Sequence, residues 1–166
     1  MQLMYLLSIA AAARSIRLSA SYFVPDDVSV GMFVAALEGG VRVEINLPGP
    51  LIDTEIVRRA SRSTWGKLLR AGAEIFEYQP TMFHCKVMVV DELWTSVGST
   101  NFDNRSFAVN DEANLNIYDA TFARRQVEIF EQDLQRSRRI TLEEWERRPW
   151  TEKLWEHTVG LLSSQL

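Results

Sequence analysis

The sequence predicts an α/β sandwich, from two stretches in which helical spacing ends at glycine and a short alternating apolar run follows at once. A third stretch, after Pro80, offers strands alone. The chain has 166 residues, 46% of them hydrophobic and 24% charged, which excludes collagen-like, low-complexity and disordered classes. At this length about two thirds of the unfolded surface is buried on folding, so a real core is available.

From Met1 to Ala13 the only polar residues are Gln2 and Ser8. This is short of the roughly 20 residues that span a bilayer, and Arg14 and Arg17 follow the apolar run, the reverse of a signal peptide. A buried helix opening the domain is expected. Ser15 to Phe23 alternates Ile16, Leu18, Ala20 and Tyr22 as a strand does, and Pro25 closes it. Asp26 and Asp27 then read as turn residues. Val28 to Glu38 has helical spacing and stops at the left-handed signal Gly39-Gly40. Val41 to Leu47 alternates again until Pro48-Gly49-Pro50 breaks it. The second unit is a helix over Thr54 to Arg70, a cap at Gly72 and a strand over Ala73 to Tyr78.

After Pro80 the spacing predicts strands over Phe83 to Val90, Trp94 to Val97 and Ala113 to Tyr118. Past Ala120 the chain reads as helical, with Arg124, Arg125, Arg136, Arg138, Arg139, Arg147 and Arg148 interleaved with acids. Opposite charges at that density predict a solvated tail with local ion pairs. Trp145, Trp150, Leu154, Trp155, Leu161 and Leu162 are candidates to pin it to the body. The expected division is a sheet-forming unit over 1–120 and a charged helical tail over 121–166.

Composition narrows the function. Eighteen Lys+Arg against 22 Asp+Glu leave a net charge of -4, so no global positive field favours nucleic acid. The one cysteine, Cys85, excludes an intrachain disulfide, suits a reducing compartment and reads as a small buried filler. With only His84 and His157, a multi-histidine metal centre is not expected. Any membrane contact is expected to be peripheral.

The informative run is His84-Cys85-Lys86-Val87-Met88-Val89-Val90-Asp91. Residues two apart on a strand share a face, so His84 and Lys86 are presented together. Downstream, Gly98 permits close backbone approach, while Ser99 and Asn101 offer neutral hydrogen-bond donors. A titratable ring, a cation and neutral donors suit a phosphoryl group as charge gathers on its oxygens.

His84, Lys86 and Asp91 match the His-x-Lys-x4-Asp signature of the phospholipase D superfamily, with Gly98-Ser99-x-Asn101 at the expected place. The sequence resembles the second half of bacterial cardiolipin synthases through residues 22–26, 77–80, 83–91, 97–103 and 110–114. That resemblance implies a phospholipase D-like α/β/α sandwich half-unit with a mixed sheet, which pairs with a second motif-bearing half. One histidine attacks phosphorus to give a phosphohistidine; the other protonates the leaving alkoxide and activates the acceptor hydroxyl. An imidazole titrating at about 6.5 suits both roles.

The resemblance also implies no metal or cofactor, a catalytic set of His84, Lys86, Asp91 and Glu112, and phosphate contacts from Lys86, Ser99 and Asn101. Glu112 matches an acid near the catalytic ring, where a bond to one ring nitrogen would fix the tautomer. The implied substrate is an anionic glycerophospholipid, met peripherally at the cytoplasmic side of a bacterial membrane. Asp91 falls on the opposite face of a straight strand from His84, which argues instead that it braces the next turn. Asp103 and Arg105 are expected to pair or brace a loop.

The chain holds one such motif, and His157 supplies no second because no lysine follows two residues later. Either it is the second half of a longer enzyme, or two copies assemble. Three functions stay open: a phosphatidyltransferase joining two phosphatidylglycerols into cardiolipin, a single-motif homodimeric endonuclease, and a non-catalytic half-unit. The bland alternatives are a core histidine at His84, a surface lysine at Lys86 and turn caps at Ser99 and Asn101.

Overall fold

The computed structural model describes residues 1–150 and Glu152. In chain order the elements are α1 (Gln2–Ala11), β1 (Ser15–Ala20), β2 (Phe23–Val24), α2 (Asp27–Glu38), β3 (Arg42–Pro48), α3 (Glu55–Ala71), β4 (Glu74–Tyr78), β5 (Lys86–Val90) and β6 (Trp94–Gly98). They continue with β7 (Phe102–Asp103), α4 (Asn104–Ala108), β8 (Asn114–Tyr118), α5 (Ala120–Leu134), β9 (Ser137–Ile140) and α6 (Leu142–Arg147). Seven strands form a mixed sheet in the order β8-β6-β5-β1-β3-β4-β9. Parallel pairing joins β1, β3 and β4; the remaining pairs are antiparallel. β2 and β7 form a small parallel pair.

One face of the sheet carries Ile16, Leu18, Val43, Ile45, Ile75, Met88 and Val90 against apolar side chains of α1, α2 and α3. The other meets α5 through Val87, Val89, Ala123 and Val127. This is the expected α/β/α arrangement. The alternation in β1 suggested one buried face, yet Arg17 is buried as well, its guanidinium 3.1 Å from the Glu44 carboxylate. Burial raises the Glu44 pKa, although Arg42 and Arg17 oppose it.

Several expectations need correction. α1 is not a buried helix: only Tyr5 and Ile9, one turn apart, are buried, and Leu3, Met4 and Leu7 face outward. A helix touching the body along one side has a single apolar seam. Nor is the chain after Pro80 strands alone, because Asp103 caps α4 by accepting from Ser106 N at 2.7 Å. That cap braces the chain after β7, one of the two roles expected of Asp103.

Past Ala120 the chain is not uniformly helical. β9 pairs antiparallel with β4, setting Glu77 opposite Arg138 and Phe76 opposite Arg139. Arg138 reaches Glu77 at 3.2 Å, Arg139 reaches Glu74 at 2.7 Å, and Ile140 enters the core. Arg138 and Arg139 are thus cross-strand partners of β4 acids, while Arg125 and Arg147 make the expected local ion pairs with Glu128 and Glu143. Glu77 is itself buried and also meets Arg58 at 2.7 Å and Arg62 at 3.2 Å, both from α3.

Of the expected pins, Trp145 packs so closely on α3 that a Cβ at Gly66 would lie 2.3 Å from its ring. Trp150 is exposed and pins nothing. Leu154, Trp155, His157, Leu161 and Leu162 lie outside the described residues. As expected, Asp26 serves the turn before α2 by accepting from Ser29 N at 2.8 Å, whereas Asp27 opens the helix and meets Lys67 of α3 at 2.8 Å. Among the described residues no helix is long and apolar enough to cross a membrane.

Asp91 sits just past β5 in the left-handed region, at φ 54°. Its carboxylate accepts from Ala13 N at 2.8 Å, Arg14 N at 2.7 Å and Ser15 N at 2.8 Å, tying the start of β1 to the end of β5. Burial pushes its pKa up, but these donors outweigh that and hold it below the ordinary value. A carboxyl depressed in the folded state stabilises above its unfolded value, about 3.9, and that stability is lost as pH falls through the lower folded value. Asp91→Ala is expected to lose about 1–2 kcal/mol at pH 7 in urea unfolding, with less stability left to lose below pH ~4.

Candidate active site

The antiparallel register of β1 and β5 sets Ala20 opposite Lys86. Lys86 shares its strand face with the core residues Met88 and Val90, and only 9% of it is exposed. β5 starts at Lys86 rather than Phe83, so His84 and Cys85 precede the strand. The expected pair forms nonetheless. Lys86 Nζ lies 3.1 Å from His84 Nδ1 and 3.2 Å from Nε2, because the lysine reaches back over the exposed imidazole.

Lys86 Nζ also donates to Ser21 Oγ at 2.6 Å, and Ser21 Oγ donates to Asn101 Oδ1 at 2.7 Å. Burial pushes the Lys86 pKa below the usual lysine range; Cys85, Glu112, Asp53 and Asp103 pull it back. The nearby Asp103 carboxyl is raised by burial against the pull of the Ser106 bonds. At the mouth, Tyr22 OH donates to Asp53 at 2.8 Å.

Gly98 behaves as expected: a Cβ there would lie 2.2 Å from both Ala113 O and Asn114 Oδ1. That approach lets Ser99 N donate to Ala113 O at 3.0 Å and Ala113 N donate to Ser99 Oγ at 3.1 Å. Ser99 Oγ in turn donates to Glu112. Glu112 therefore holds Ser99, along with Asn110 Nδ2 at 3.3 Å, and is not bonded to the His84 ring as expected. The register pairing Gly98 with Asn114 is the reason, since it carries Glu112 beside Ser99.

The structure thus brings His84, Lys86 and Asn101 into one network, sets Ser99 and Glu112 in a second, and leaves Asp91 at the far end of β5. Cys85 is half-buried, and burial raises its thiol pKa, consistent with a filler. Sequence reasoning missed Ser21, Tyr22 and Asp53. Strand alternation continued to Phe23 hid Ser21, but β1 stops at Ala20 and the chain bends there. Among the described residues no group of three or more His, Cys, Asp or Glu could hold a metal ion.

The exposed His84 imidazole therefore lies beside the buried Lys86 ammonium where β5 begins, against the end of β1. The family profile described as "Cardiolipin synthase, PLD-like domain" matches residues 5–134. The chain belongs to this phospholipase D-like family. It is 39% identical to the major cardiolipin synthase of Bacillus subtilis over 159 residues, covering 96% of this chain and 33% of that protein. It is 36% identical to cardiolipin synthase 2 of Bacillus anthracis over 163 residues, covering 98% and 32%. This member of the family spans about a third of the length of the curated relatives it matches.

The fold is also that of Nuc, a phospholipase D family member from Salmonella typhimurium, with a TM-score of 0.75 at 24% identity over 84% of this chain and 90% of that one. Phosphatidylserine synthase from Haemophilus influenzae gives a TM-score of 0.79 at 16% identity over 99% and 44%.

Replacing Gly98 with Ala forces β8 away from Ser99. Urea unfolding is expected to show a loss of about 1–3 kcal/mol, the range for an overpacked contact.

Proposed function

We propose that this chain is the one-motif half of a phosphatidyltransferase that joins two phosphatidylglycerols into cardiolipin and releases glycerol. The observation that carries the reading is the Lys86 ammonium held 3.1–3.2 Å from both nitrogens of an exposed His84 ring. The 36–39% identity to named cardiolipin synthases favours this substrate class. The net charge of -4 disfavours a nucleic acid diester, whose binding relies on clustered cations.

The reaction needs two imidazoles. One, neutral, attacks phosphorus of the first phosphatidylglycerol; the P–O bond to glycerol breaks, and the second, protonated imidazole gives that alkoxide its proton. The second ring, now neutral, takes the proton from a hydroxyl of another phosphatidylglycerol. That oxygen displaces the histidine from phosphorus, and both rings return to their starting states. His84 is one of the two. The other belongs to a second His-x-Lys half, either the remainder of a longer enzyme or a second copy. Lys86 neutralises the nonbridging oxygens as charge builds, a contact worth a few kcal/mol in a dry site. The Asn101 amide donates to the nonbridging oxygens, and Ser99 joins it by turning the proton it gives Glu112 toward the phosphate. The assembled enzyme meets its lipid peripherally, from the cytoplasmic side.

Glycerol release from phosphatidylglycerol vesicles tests this in the enzyme assembled with its second motif. His84→Ala is expected to lower turnover by at least about a thousandfold, as for removal of a nucleophile or its acid–base partner. Undiminished release by that variant would overturn the assignment.

A further inference from the structure

We propose that Ser21 is the positioning residue for Lys86, and that Asn101 acts on Lys86 through it. The inference rests on the transferase reading for its kinetic consequence, but the relay itself is a property of the folded chain. Ser21 is 2% exposed and sits where the chain leaves β1, one residue past the partner of Lys86 in the sheet. Its hydroxyl is 2.6 Å from Lys86 Nζ and 2.7 Å from Asn101 Oδ1.

Bond polarity in this chain of three is settled by chemistry. An ammonium has only protons to give, so Ser21 Oγ accepts from Lys86 and must spend its single proton elsewhere. The remaining neighbour is Asn101, which therefore turns its carbonyl oxygen toward Ser21. Two consequences follow. The lone pair of Ser21 is locked toward Lys86, fixing one of the three ammonium protons and with it the direction of the other two. The Asn101 NH2, with no protein partner among the described residues, is left for a ligand oxygen. When a phosphoryl group arrives, Lys86 can exchange its bonds to His84 for bonds to that group while Ser21 still holds it.

Ser21 also bears on when Lys86 is charged. The groups that act on this ammonium are the His84 ring beside it, Cys85 on the approach to β5, Asp53 after β3, Asp103 at the end of β7 and Glu112 before β8. None of its bonded partners, by contrast, is a carboxylate: they are the Ser21 hydroxyl and the ring and carbonyl of His84. Removing the Ser21 hydroxyl takes an acceptor from the charged form and leaves the burial penalty in place, so the ammonium gives up its proton at lower pH.

The test follows the Lys86 ε-methylene by NMR through a pH titration of the isolated chain, without substrate. The expected result is a downward displacement of the Lys86 titration in Ser21→Ala, a smaller one in Asn101→Ala, and return toward the parent curve in Ser21→Thr. In the assembled enzyme, Ser21→Ala is expected to lower kcat by roughly ten- to a hundredfold with little change in KM, as for a lost bond to a charged group. The alkaline limb of its pH profile should move to lower pH, with Ser21→Thr restoring both. Identical Lys86 titrations in the parent, Ser21→Ala and Asn101→Ala would overturn the relay, as would a Ser21→Thr protein as defective as Ser21→Ala. Because the titration needs no turnover, it separates failure of the relay from failure of the transferase reading, which shows only as His84-independent glycerol release.

Discussion

Lys86 is nine-tenths buried, and none of its hydrogen-bond partners is a carboxylate. Withdrawing an ion from water costs several kcal/mol unless something nearby compensates. Here the compensation is divided: a hydroxyl and an imidazole satisfy the protons, while Glu112, Asp53 and Asp103 act through space. An incompletely neutralised cation of this kind discriminates between states of a bound group. It gains most from the state in which negative charge is greatest, which for a phosphodiester is the transition state. The rest of the site can be understood as what keeps that cation where the fold would otherwise not tolerate it.

The sheet supplies the means. Antiparallel pairing of β1 with β5 fixes Lys86 against the end of β1, and Asp91 locks the opposite end of the same strand pair by gathering three backbone N–H groups. A strand clamped at its far end holds its near end with little freedom. The polar centre of the α5 face, where Arg17 meets Glu44, ties β1 to β3 in the same layer. The signature residue Asp91 thus braces the backbone past the end of β5, away from His84, as its place on the strand suggested.

How much of this was legible depended on whether a signal was local. Helix stops at Gly40 and Gly72 were plain because positive φ there needs glycine, and the structure gives both residues φ values near or above 90°. The association of His84 with Lys86 was read from strand spacing, and it holds although His84 precedes the strand: a long side chain folds back to make the contact. Ser21 was not legible, because its importance comes from a bend and from a partner 80 positions away. Glu112 was assigned to the wrong partner for a similar reason, since the register of β6 and β8 decides its neighbour. β9 was missed because the run Ser137-Arg138-Arg139 looks helical until the acids of β4 are seen beside it.

That last strand also shields its neighbour. Without β9, β4 would be an outer strand whose backbone groups could pair with another molecule, and buried Glu77 would lose one of the guanidiniums around it. A version of the chain cut after α5 would keep every residue of the candidate site and still invite intermolecular strand addition along that border, so solubility and the candidate site would be lost at different points of truncation.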